Sequence, residues 1–202
     1  GGVALTVDFW TPLLLDDLDV MSRPCTYLDA EVASLDEKKH EVKICWEFSG
    51  DLCCDKGQTE KIGGGSYRVA QNNIAWMGLR EQKPLGNSGD GVTIDWGYLY
   101  LAASEGTVSY SHPSRSLGAE FVLTAEGQQK DGASLIAAYD DIASINYFGR
   151  LQPGYWARNG KSIIEAITEA AEERSALQKR SMDFEAELQK KTNAFGPSYT
   201  KN

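Results

Sequence analysis

Val3-Ala4-Leu5-Thr6-Val7-Asp8-Phe9 sets an apolar side chain at every second position. Successive side chains of a strand point to opposite faces, so this pattern predicts a half-buried β-strand. Thr11-Pro12 breaks it, Leu13 to Val20 is apolar and acidic, and Pro24 closes that segment. The alternation then returns. Tyr27 to Leu35 reads as a second strand and Glu41 to Phe48 as a third, with Val42, Ile44 and Trp46 on one face. The polar turn Asp36-Glu37-Lys38-Lys39 between them predicts that these two strands pair as a hairpin. Further strands are expected within Tyr67 to Leu79 (two, turning at Asn72-Asn73), Thr93 to Ala102, Thr107 to Ser111, Gly118 to Thr124 and Ser134 to Tyr139. In Thr93 to Ala102, Ile94, Trp96, Tyr98 and Tyr100 share one face. Asp51 to Ser66, which holds Gly63-Gly64-Gly65, and Pro84 to Gly91 read as loops or sheet corners. Many short strands separated by turn signals are the pattern of a β-sandwich.

The period changes after Pro153. Ile163, Ile164, Ile167, Ala170, Ala171, Leu177, Phe184 and Leu188 recur with helical spacing, and no Gly or Pro interrupts Lys161 to Ala194. Gly196-Pro197 supplies the stop. A helix of about 30 residues would be roughly 45 Å long. Glu172-Glu173-Arg174 and Gln178-Lys179-Arg180 are assigned to its solvent face. The expected fold is therefore mainly β. A supersandwich-like β-sandwich fills residues 1–150, and a linker and one long C-terminal α-helix fill 151–202. The apolar stripe of that helix needs a partner, on the sandwich or beyond Asn202.

The 202 residues carry 20 Lys and Arg against 29 Asp and Glu, a net charge of -9. This excludes a phosphate-binding surface of the nucleic-acid kind and adhesion to anionic lipid. Hydrophobic residues at 42% and charged residues at 24% mark a globular chain. No apolar run is long enough to span a membrane. Gly1 to Thr6 lacks the basic stretch and apolar core of a secretion signal. The vicinal pair Cys53-Cys54 does not have the C-x-x-C form of a zinc site, and no histidine stands at ligand spacing, so neither a metal nor another cofactor is expected. Spacing leaves open both free buried thiols and a disulfide such as Cys45 with Cys53.

Chemistry is sparse. There is no G-x-S-x-G, P-loop or G-x-G-x-x-G, and His40 and His112 stand apart, in turns. The densest group follows the last sandwich strand: Tyr139-Asp140-Asp141, then Tyr147-Phe148-Gly149, then Tyr155-Trp156. Tyr139, Asp140, Asp141 and Trp156 are the candidate substrate-binding residues, expected to meet at an open edge where sandwich joins helix. Adjacent strand residues face opposite ways, so only one of the two carboxylates can serve a given site, and either can instead cap a turn. Trp46, Trp76 and Trp96 sit in strand patterns and suit inter-sheet packing. As an exposed platform they would mark a glycan-binding module or one attached to a glycoside hydrolase.

Val3 to Pro12, Asp16-Asp17-Leu18, Ser22-Arg23-Pro24 and Thr26-Tyr27 resemble the N-terminal, non-catalytic portion of the glutaminase A family. Ala138 to Gly149 and Tyr155-Trp156-Ala157-Arg158-Asn159-Gly160-Lys161 are similar to that family's junction between its β-rich region and its helical domain. The resemblance implies a secreted or periplasmic amidohydrolase converting L-glutamine to L-glutamate and ammonia. It also implies an architecture like that of glycoside hydrolase clans that join a large sandwich to a helical toroid. On that view the partner of this chain is the helical catalytic domain of the same polypeptide. The resemblance assigns no residue here a catalytic role, so the catalytic residues are left open.

Overall fold

The computed structural model describes residues 1–196 and Tyr199. The strands are β1 (Val3–Trp10), β2 (Cys25–Ser34), β3 (His40–Ser49), β4 (Ile62–Val69), β5 (Asn72–Leu79), β6 (Tyr98–Ala103), β7 (Thr107–Ser111), β8 (Ser116–Ala125), β9 (Asp131–Asp140), β10 (Ile145–Tyr147) and β11 (Arg150–Gln152). The helices are the single turn α1 (Leu18–Met21) and the 31-residue α2 (Ile163–Asn193). The fold is thus mainly β, with one long C-terminal helix. A six-stranded antiparallel sheet in the order β1-β2-β9-β6-β5-β4 faces a three-stranded sheet β3-β8-β7, and β10-β11 forms a separate hairpin.

Strand alternation builds two cores. Toward the smaller sheet, Leu28, Ala30 and Val32 of β2, Met77 of β5, Leu101 of β6 and Leu135 of β9 meet Ile44 of β3 and Leu117, Ala119 and Phe121 of β8. Toward the helix, the alternate residues Cys25, Tyr27, Ile74, Ala102, Ile136 and Ala138 meet Ile163, Ala166, Ile167 and Ala170 of α2. The architecture is therefore three layers: small sheet, large sheet, helix.

The turn at Asp36 does not close a hairpin. β2 pairs with β1 and β9, whereas β3 pairs with β8 in the opposite sheet. The turn arches between sheets because the apolar faces of β2 and β3 bury into the same core from opposite sides. Asp36 holds the arch, its Oδ1 accepting from the Lys38 N–H at 3.2 Å and lying 2.6 Å from His40 Nε2. The β4–β5 turn falls at Ala70-Gln71, two residues before the expected place, and Ala70 adopts φ 51° there.

Gly63-Gly64-Gly65 is not a corner but part of β4. A Cβ at Gly64 would lie 2.6 Å from the Tyr110 ring on the inner face, and one at Gly65 would lie 3.2 Å from Trp76 Nε1 on the outer face. The glycines let aromatic rings lie against the strand. Among the strands expected over Thr93 to Ala102, only Tyr98 to Ala102 is extended and paired.

Ser162 starts α2 with a capping box: its Oγ accepts the Glu165 N–H and Glu165 Oε2 accepts the Ser162 N–H at 2.8 Å. Pro197 of the expected stop lies outside the described residues. The periodic stripe is buried through Leu177, but Met182, Phe184 and Leu188 beyond it are exposed. Part of the expected solvent face forms ion pairs with the rest of the fold. Arg174 pairs with Asp29 at 2.6 Å, Glu173 with the buried Arg23 at 2.9 Å, and Arg180 with Asp17 at 2.9 Å. All four cysteines are free thiols, and Cys45 is exposed while Cys53 is buried.

Ile167 is fully buried, so Ile167→Ala is expected to lower unfolding free energy by about 2–4 kcal/mol. Met182→Ala, on the exposed half of the same helix, should stay within about 0.5 kcal/mol of the parent chain in the same urea titration. Asp29 gives a pH test. Burial alone would raise its carboxyl, but hydrogen bonds from Arg174, Ser134 and Trp10 outweigh that and hold it below the usual range. A depressed carboxyl contributes stability present above its unfolded pKa and lost as pH falls through its folded pKa. Asp29→Asn should cost about 2 kcal/mol at pH 7 and little at the acid end. An equal loss at both would show that charge is not what this group contributes.

Candidate functional site

Where β6 begins and β9 ends, Tyr98 pairs with Asp140. Gly97, at φ 91°, packs so tightly against this point that a Cβ would lie 2.5 Å from the Asp140 carbonyl oxygen. Strand alternation then separates the expected site residues. Tyr139 turns toward the inter-sheet core and its hydroxyl donates to the Trp96 carbonyl at 2.7 Å. Asp140 turns the other way, to the helix side. Trp156 is also on the helix side, buried among the residues at the start of α2. The structure thus leaves Tyr139 and Trp156 on opposite sides of the large sheet instead of in one pocket.

Both carboxylates hold turns. Asp140 Oδ1 accepts the Ile142 N–H at 2.9 Å, and Asp141 Oδ2 accepts the Ser144 hydroxyl at 2.5 Å. Burial, with the neighbouring Asp141 charge, pushes the Asp140 carboxyl above its ordinary value against the opposing pull of the Ile142 N–H. Burial also raises the Tyr139 phenol. Beyond Asp141 the chain runs into the exposed hairpin β10–β11, where Phe148 is 91% exposed and meets Tyr147 edge to face.

Two features were missed in the sequence. One is a polar cleft of about 530 Å³ at the same end of the sheet, lined by Gln58, Lys61, Arg80, Lys83 and Asp95 among others. Asp95 Oδ1 and Trp96 Nε1 nearby are buried and have no hydrogen-bond partner among the described residues. The other is an aromatic strip on the helix side, formed by Tyr67, Trp76, Tyr98 and Tyr100. Its signal was partly visible in the shared parity of Tyr98 and Tyr100. The three tryptophans first considered as a platform do not form one. Trp46 packs on the inter-sheet core against Phe9, while Trp76 lies on the outer face against Tyr98.

The nucleophile candidates are quiet. Burial pushes the thiols of Cys25 and Cys53 up to about 12. His40 is tied to Asp36, and His112 lies edge-on to Tyr110. Among the described residues, no group of three or more His, Cys, Asp or Glu is placed to hold a metal, and no helix is long and apolar enough to cross a membrane.

These features define a three-layer β-sandwich module. The chain belongs to the family described as Domain of unknown function (DUF5127), whose model matches residues 1–131. It is 28% identical over 103 residues to Glutaminase A of Aspergillus oryzae (strain ATCC 42149 / RIB 40), a match over 51% of this chain and 15% of that relative. A solved structure, "Putative kojibiose phosphorylase from human microbiome", overlaps 89% of this chain and 19% of its own at 8% identity and a TM-score of 0.45, a loose likeness.

Asp140 and Asp141 are separated by substitution. A raised carboxyl contributes stability present below its unfolded pKa and lost as pH rises through its folded pKa. Asp140→Asn keeps an acceptor for the Ile142 N–H and removes a poorly solvated charge. It should leave stability at pH 7 unchanged or higher and flatten the decline above the ordinary carboxyl range. Asp141→Asn should stay within about 0.5 kcal/mol. Thermal melts across pH 3 to 8 check both, and a large loss in Asp140→Asn at pH 7 would contradict the assignment.

Proposed function

We propose that this chain is the non-catalytic β-sandwich portion of a glutaminase-like amidohydrolase, which in full length hydrolyses L-glutamine to L-glutamate and ammonia. The observation that carries the reading is the 28% match to Glutaminase A over half of this chain. In this reading residues 1–150 are the sandwich domain, and 151–202 lead into a helical, toroid-like domain of the same polypeptide that holds the catalytic groups and binds the small-molecule substrate. No cofactor is required, and the location is extracytoplasmic.

Two surfaces support a further domain. The second half of α2 presents Met182, Phe184 and Leu188 to solvent, with Phe195 just past its end, and the β10–β11 hairpin does the same with Ile145, Tyr147, Phe148 and Leu151. Apolar patches of this kind mark places where another surface docks. The quiet thiols and tethered histidines agree with chemistry residing elsewhere.

The test is ammonia release from L-glutamine. This chain alone is expected to give none, and a longer polypeptide carrying it with its helical domain is expected to turn over. Release by the chain alone would place the chemistry here after all. Absence of release by the longer polypeptide would remove the glutaminase assignment. In that polypeptide, Phe184→Asp and Leu188→Asp should loosen attachment between the domains, read as a second, lower melting transition, while this chain's own melt is unchanged.

A further inference from the structure

The helix side of the large sheet is only partly covered. α2 lies over Ile74, Ala102, Ile136 and Ala138 and leaves the aromatic strip beside them open. The strand register sets Trp76 beside Tyr100 and Tyr98 beside Asp140, with Tyr67 on the same face beside Ile74. The ring centroids of Trp76 and Tyr98 are 5.6 Å apart at 80°. Glycines make room beneath. Trp76 lies against Gly65, and a Cβ at Gly78 would come within 2.5 Å of the Tyr98 ring. Tyr67 is 41% exposed, and Trp76, Tyr98 and Tyr100 are half-buried.

The polar ends of these groups are free. Trp76 Nε1, the hydroxyls of Tyr98 and Tyr100, and Asp140 Oδ2 have no hydrogen-bond partner among the described residues, and none of these atoms is shut away from solvent. Asp140 is fixed through its other oxygen, which holds the Ile142 N–H.

We propose that this face binds a neutral pyranose sugar. Its ring C–H face would lie on one aromatic face, since Trp76 and Tyr98 stand at 80° to each other, while its hydroxyls would donate to Asp140 Oδ2 and exchange hydrogen bonds with the indole N–H and the two phenols. Largely apolar sites with a few placed polar groups are how proteins hold small polar ligands. A docked apolar helix fits less well, because it would bury four polar ends unpaired. This inference does not rest on the glutaminase reading: it is read on this chain by binding, and its failure leaves the ammonia assay untouched.

The experiment titrates the ¹⁵N-labelled chain with the methyl glycosides of glucose, galactose, mannose and N-acetylglucosamine, following the tryptophan indole N–H signals by NMR. At least one glycoside is expected to give a saturable shift of the Trp76 signal. Sorbitol, which has hydroxyls but no ring face, should give none. Tyr67→Ala and Asp140→Asn should each weaken binding several-fold, and Trp76→Ala should weaken it roughly tenfold. Trp46→Ala, on the other side of the sheet, should bind as the parent does. Tyr67 is at an exposed position, so its variant keeps the test valid if Trp76→Ala fails to fold. The proposal is overturned by no saturable shift with all four glycosides, by an equal response to sorbitol, or by binding that Tyr67→Ala and Asp140→Asn leave intact.

Discussion

A sheet that is apolar on both faces has to be covered twice, and this requirement organises the molecule. In β2 the residues Leu28, Ala30 and Val32 face one way and Cys25 and Tyr27 the other, and all five are buried. The three-stranded sheet can cover only one side. The other needs α2, whose small residues Ala166 and Ala170 bring its backbone close enough for the Tyr27 hydroxyl to donate to the Ala170 carbonyl at 2.8 Å. Up to Leu177, then, α2 belongs to the same core as the strands. Beyond Leu177 the apolar residues Met182, Phe184 and Leu188 of the same helix turn to solvent.

The parts of this design that depend on local periodicity could be read in the sequence. Glu41 to Phe48 and the Ile163 to Leu177 stripe each record which side chains share a buried face, whereas Val3 to Phe9 forms the expected strand but, at the edge of the large sheet, leaves Leu5 and Phe9 exposed. Pairing was harder, because it depends on partners remote in sequence. A short polar turn such as Asp36 to Lys39 serves equally for a hairpin or an arch between sheets. What selects the arch is the availability of β9 for β2 and of β8 for β3. The glycine triplet misled for a related reason. Glycine commonly signals a loop, but here it answers rings that arrive from Tyr110 and Trp76.

The candidate site shows the same limit. Alternation alone implied that Tyr139 and Asp140 diverge. It could not show that Trp156 is drawn under the start of α2, which follows from packing against Ile163 and Ile167. Nor could it show the aromatic strip, whose members come from β4, β5 and β6 and meet only through strand register.

Two carboxylates on the helix side of the large sheet show where binding chemistry can survive. Asp29 lies under α2, which brings Arg174 to it, and Trp10 and Ser134 complete its partners. Every strong interaction that Asp29 can make is already made within the fold, so it contributes to stability and has little left for a ligand. Asp140 has no cationic partner among the described residues. One of its oxygens is committed to the Ile142 N–H and the other is not. Burial and the Asp141 charge raise it more than the Ile142 N–H lowers it, which is the opposite balance from Asp29. The length and position of the helix therefore divide this face into a region whose polar groups are paired within the fold and a margin, with Trp76, Tyr98 and Tyr100 beside Asp140, whose polar ends are left unpaired among the described residues.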